Sequence, residues 1–189
     1  PESVPQIEGD LYIVHQCLDD QSFQSDGIMR CRYLTVVPEW LEDKGYSVRR
    51  LAWLDFVSLP LEKVYRRLRA EHYLVPEDWL KLRDYTRVFI NHVSSVYSLN
   101  PHIPLAGMDV SALVRGERTQ QISDRGMIFW RYKPMLERCT KKIKSLTFVD
   151  HFEGLIVEHV PIYIGRNLGI KFRAVGYVPN ALIPSAWLA

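Results

Sequence analysis

The sequence predicts an α/β domain, a three-layer sandwich around a mainly parallel sheet with a helical insertion at about 60–87, and three observations predict it. Residues 11–16 (Leu-Tyr-Ile-Val-His-Gln) form a short apolar run with β-branched members, the composition of a strand buried on both faces. A helix-spaced apolar pattern then leads to Gly45 and into a second apolar run. Near the C-terminus two more apolar runs, 155–157 and 171–178, are separated by a segment long enough for a crossover helix.

The first ten residues, with Pro1, Pro5 and several polar side chains, read as a loose arm ahead of one domain over 11–189. After the first strand, residues 19–27 are rich in Asp, Ser and Gln and make a polar loop, with Ser25 or Asp26 available as an N-cap. From Ile28 to Lys44 the apolar residues Met29, Tyr33, Leu34, Val37, Trp40 and Leu41 recur every three or four positions, and Gly45 fits the C′ position of that helix. Pro38 interrupts the pattern, so a strand over 29–37 followed by a short helix competes with one continuous helix. Residues 46–56 read as the second strand.

Pro60 and Pro76 stand at the starts of charged helices expected over 61–73 and 77–85, where proline's missing N–H costs nothing. Residues 88–97 return to strand composition, 105–110 suggest a further short strand, and 125–144 suggest a helix that contains Pro134. The connection between 157 and 171 has two readings. As a helix over 160–168 it completes a β-α-β unit. As a strand, favoured by Ile162, Tyr163 and Ile164, it makes a hairpin turning at 166–169 and an α+β fold.

Composition narrows the function classes. At 189 residues with 47% hydrophobic and 24% charged residues, the chain is typical of a folded domain. Its formal charge of +2, from 24 basic and 22 acidic residues, excludes binding of polyanions by bulk attraction. No apolar run approaches the roughly 18 residues of a membrane span. Three widely spaced cysteines, Cys17, Cys31 and Cys139, suit buried free thiols in the cytoplasm better than a disulfide framework. Six histidines without a His-x3-His pair, and no Cys-x2-Cys, give no expectation of a metal site. Phosphate-binding loops and Gly-x-Ser-x-Gly nucleophile turns are absent as well.

Two segments together resemble the N-terminal, acceptor-side domain of GT-B glycosyltransferases, which has a Rossmann-like fold. The first runs from the strand at 11–16 through Ser25-Asp26-Gly27 and Met29-Arg30-Cys31-Arg32-Tyr33 to Trp40-Leu41-Glu42-Asp43-Lys44-Gly45-Tyr46. The second joins His151-Phe152-Glu153-Gly154-Leu155-Ile156-Val157 to Leu168-Gly169-Ile170 and the run ending Val178-Pro179-Asn180. The resemblance implies transfer of a sugar from a nucleotide-sugar co-substrate to a glycan or small-molecule acceptor, without a tightly bound cofactor. The donor site would belong to a C-terminal domain or partner chain beyond this sequence.

Under that resemblance Asp26, Gly27 and Arg30 would contact substrate, because glycine permits close backbone approach and free amides at a helix start attract oxyanions. Inverting transfer also needs a base for the acceptor hydroxyl, and His92 and Asp109, near expected strand ends, are the candidates. Two other classes remain open. Basic clusters at Arg49-Arg50, Arg66-Arg67, 115–118 and Lys141-Lys142 would suit a nucleic-acid module, and five Trp with ten Tyr would suit a non-catalytic interaction domain. The spacing of Arg87 and His92 matches a small-ribonuclease pair, but strand composition there places the two on opposite faces.

Overall fold

The computed structural model describes residues 9–24, 29, 31, 33–55, 57–97, 104–112, 127–151 and 156–177. They divide into two compact units, one formed by 1–75 with 139–189 and the other by 76–138.

The first unit is built on a five-stranded sheet comprising β1 (Gly9–Leu18), β2 (Ser47–Leu54), β3 (Tyr73–Leu74), β6 (Ile143–His151) and β7 (Lys171–Tyr177), in the order β3-β2-β1-β6-β7. All four pairings are parallel. The chain moves outward from β1 through β2 to β3, then returns to the other side of β1 for β6 and β7. The sheet therefore has a topological switch point between β1 and β6, the place where open parallel sheets leave a crevice at their carboxyl ends.

Helices cover both faces. One face carries Val14 and Leu18 of β1, Val48 of β2 and Val149 of β6, and it packs against Leu41 of α2 (Val37–Asp43) and Val64 and Leu68 of α3 (Leu61–Ala70). On the other face the register Leu11↔Leu146↔Phe172 aligns β1, β6 and β7. The Phe172 ring meets Gly165 of the last helix, α6 (Ile156–Arg166). This is the predicted three-layer arrangement. The segment after β6 forms a helix and β7 runs parallel to β6, so the antiparallel C-terminal hairpin is ruled out.

Several expected elements differ. Residues 156–157 open α6 rather than forming a strand, and the strand before the crossover is Ile143–His151, whose first residues the sequence pattern assigns to the end of the helix expected over 125–144. Pro38 starts a short helix at Val37, with Gly45 at φ +82° after its end as expected; the described residues before it are neither helix nor strand. Inside the expected polar loop, Asp20–Gln24 forms a single helical turn or so, α1. Helix α3 stops at Ala70, its left-handed successor His72 turns the chain, and Tyr73-Leu74 joins the sheet. Because Val64 and Leu68 are core residues, α3 belongs to the sandwich and not to an addition outside it.

The second unit holds a 3-10 turn at Pro76–Trp79, α4 (Leu82–Tyr97), a hairpin of β4 (Pro104–Leu105) and β5 (Met108–Asp109), and α5 (Met127–Cys139), whose last residue falls to the first unit. Residues 88–97, expected as a strand, are the larger part of α4. The hairpin turns at Ala106 and Gly107, both at positive φ, the geometry of a primed two-residue turn. Cys17, Cys31 and Cys139 are buried and unbridged, and burial pushes the Cys139 thiol up to about 12.

Candidate functional site

The carboxyl ends of β1 and β6 bring polar groups into a part of the sheet that is otherwise apolar. His15 sits in the middle of the run Ile13, Val14, His15, Gln16, Cys17, so the strand's burial takes its imidazole out of water together with its neighbours. Opposite it, β6 ends with Asp150 and His151. His15 Nδ1 and Asp150 Oδ2 lie 2.9 Å apart, with the side chains 1% and 3% exposed. The imidazole also packs beside the Phe148 ring at a centroid distance of 5.6 Å. A buried carboxylate is tolerated only where a partner offsets its lost hydration, and His15 is that partner.

His151 is the last residue of β6 and is 1% exposed. Its ring stacks on Tyr33 at 4.6 Å and lies nearly parallel to Trp53 at 6.1 Å. Asp150 Oδ1 stands 3.5 Å from its Nδ1, and Glu158 Oε1, from the first turn of α6, stands 3.9 Å from its Nε2. Both distances exceed a hydrogen bond, and neither ring nitrogen has a hydrogen-bond partner among the described residues. An imidazole between two acidic groups, held by aromatic rings and with its nitrogens uncommitted, is suited to hold or exchange a proton.

Neighbouring bonds fix this frame. Gln16 donates from Nε2 to the Leu34 carbonyl at 3.0 Å and accepts at Oε1 from the Tyr73 hydroxyl at 2.7 Å, tying β1, β3 and the segment carrying Tyr33 together. Burial raises the Tyr73 phenol above its usual range and keeps it a donor. Beyond β1, Asp19 and Ser22 bond reciprocally across the first turn of α1, and Asp20 accepts from the Ser58 amide and hydroxyl at 2.7 and 2.6 Å. Those two bonds hold the Asp20 carboxyl below its ordinary value. Arg67 of α3 donates to the Phe23 carbonyl, and Glu71, just past the end of α3, accepts from the Met29 amide at 2.9 Å.

Asp26, Gly27 and Arg30 lie outside the described residues. His92 is on helix α4 and not at the end of a core strand; Asp109 is in β5 of the small hairpin, where its Oδ1 accepts from the Ser111 amide at 2.9 Å and from the Ser111 hydroxyl. Both belong to the second unit, and neither is on a strand of the five-stranded sheet. With α4 helical, the five-residue step from Arg87 to His92 is a rotation of about 140° and does not bring the two onto one face.

His15, Asp150, His151 and Glu158 escaped the sequence reading. The available signal was a histidine inside the apolar run of β1, but its partner was placed in a strand that the pattern had not located. Several basic clusters are neutralised locally: Arg50 pairs with Glu39 and Glu42, Arg66 with Glu62, and Arg67 with Glu71. The 115–118 cluster lies outside the described residues, and no group of side chains suited to a metal ion occurs among the described residues. No family model, curated protein or solved structure matches this chain.

Proposed function

We propose that this chain is the acceptor-binding part of a glycosyltransferase that moves a sugar from a nucleotide-sugar donor to a glycan or small-molecule acceptor. The observation that supports this reading is the parallel crossover from β6 through α6 to β7, with a switch point beside His15, Asp150 and His151. The sequence resemblance to a GT-B acceptor domain requires that crossover, and an antiparallel ribbon there would have removed it.

In this reading the acceptor lies at the carboxyl edge of β1 and β6. His151 takes the acceptor hydroxyl proton as the oxygen attacks the sugar carbon and the nucleoside diphosphate leaves with the bonding electron pair. Asp150 and Glu158 stabilise the resulting imidazolium, and His15 holds Asp150 in position. His92 and Asp109, the bases that the sequence resemblance implies, lie in the second unit and are tested separately from His151.

The test is sugar transfer by the full-length protein against a panel of nucleotide-sugar donors. His151→Ala is expected to lower the rate by about 10²–10⁴-fold, the range of a lost general base. An unchanged rate would remove His151 from the chemistry, and unchanged rates for His92→Ala and Asp109→Ala would remove those residues. Absence of both turnover and binding with every nucleotide-sugar would end the glycosyltransferase reading itself.

A further inference from the structure

The exposed face of α4 carries a pattern unrelated to the sheet edge. Leu82, Tyr85, Phe89 and Ile90, with Thr86 among them, follow the i, i+3, i+4, i+7, i+8 spacing of a single helical stripe. In a soluble domain such a stripe faces the core. Here it faces outward: Leu82 is 81% exposed, Phe89 69% and Ile90 63%. Positions 93, 96 and 97 continue the same spacing in the sequence with Val, Val and Tyr.

The exposed charges on the helix beside the stripe are basic, while the exposed acids of this unit's start and hairpin, Asp78 and Asp109, lie off the helix. Arg83 and Arg87 project from the flank next to it, and Lys81 immediately precedes the helix; all three are exposed. The acid of this first turn, Asp84, lies on the opposite side, where it is buried and accepts from the Lys81 amide at 2.6 Å and from Arg138 at 2.5 Å. From Tyr85 to Met108 the sequence contains no Asp or Glu. The hairpin of the same unit also exposes two large apolar side chains, Leu105 and Met108.

We infer that α4 is a membrane-surface helix that docks on anionic phospholipid, with its apolar stripe in the acyl boundary and Arg83, Arg87 and Lys81 at the headgroups. A helix of this length extends about 24 Å and would lie in the interface, and no described helix is long and apolar enough to cross a membrane. The flanking cations argue for a lipid surface because they complement anionic headgroups at the polar boundary of such a helix, and a second copy of the chain is the competing outcome of the test.

Co-sedimentation of the chain with vesicles of phosphatidylcholine, alone and with added phosphatidylglycerol, tests the inference. Binding is expected to require phosphatidylglycerol and to weaken as salt rises. Phe89→Asp should reduce partitioning about tenfold or more, and Arg83→Glu with Arg87→Glu by a similar factor. Arg66→Glu, which reverses an exposed charge in the first unit, should leave it unchanged. Phe89→Trp should keep binding and give a blue-shifted emission on vesicles, which guards against loss by misfolding. No binding to anionic vesicles at low salt, or binding indifferent to Phe89→Asp, overturns the inference. So does a lipid-free dimer in sedimentation velocity that Phe89→Asp abolishes, or binding of an oligonucleotide in place of vesicles.

Discussion

His15 of β1 and Asp150 of β6 meet at 2.9 Å from neighbouring parallel strands, and each offsets part of the other's cost of being buried. Taking away one partner leaves the remaining polar group without compensation. Asp150→Ala is therefore expected to destabilise the fold by about 3–5 kcal/mol. Asp150→Asn keeps the shape and one acceptor oxygen and should cost less. Replacing both residues with apolar ones of similar volume, His15→Phe with Asp150→Leu, should cost less than the sum of the two single changes. Urea denaturation of these five variants, the two single apolar changes included, checks this, and strictly additive losses would show that the pair is not coupled.

In the crossover, Gly165 of α6 lies against the ring of Phe172 in β7. A Cβ at position 165 would lie 2.1 Å from Phe172 Cε2 and within 2.6 Å of two further ring atoms. Alanine normally gains about 1 kcal/mol over glycine inside a helix. Here overpacking of about 1–3 kcal/mol opposes that gain, so Gly165→Ala should lower the thermal midpoint. Once Phe172→Leu has removed the ring, the same change should become neutral or stabilising. A stabilising Gly165→Ala in the wild-type background would show that α6 and β7 are not in this contact.

The two strands that start the sheet and the glycine that closes α2 were legible in the sequence because each depends on local chemistry: apolar runs at 11–16 and 46–56, and a positive φ at Gly45. Strand β6 was not. Lys144, Ser145 and Thr147 dilute its apolar character, and it begins only four residues after α5 ends, so helix and strand merge into one ambiguous segment. The run 155–157 is too short for periodicity to distinguish helix from strand. In 88–97, Val88, Ile90, Val93 and Val96 gave strand composition, yet the residues form a helix, and local propensity was overridden. The candidate site was hidden for a related reason. The histidine of β1 was visible, but its pairing with Asp150 spans 135 positions and follows only from placing β6 beside β1.

In the second unit, Asp84 accepts from the Lys81 amide and from Arg138, which also donates to the Trp79 carbonyl and so joins α5 to the 3-10 turn and α4. Burial by itself would raise the Asp84 carboxyl, but these donors outweigh it and hold the group below its ordinary value of 3.8. A carboxyl whose folded value is depressed stabilises the fold above its unfolded value and loses that contribution as pH falls through the folded one. Asp84→Asn should therefore cost about 1.5–3 kcal/mol at pH 7, the range for hydrogen bonds to a charged group. The difference from wild type should begin to shrink as pH drops below about 4 and disappear once the folded carboxyl is protonated. Urea denaturation of both proteins at pH 7 and across the acid range measures it. A gap that stays constant into acid would mean that the Asp84 charge contributes nothing, and that Arg138 is held by its bond to the Trp79 carbonyl.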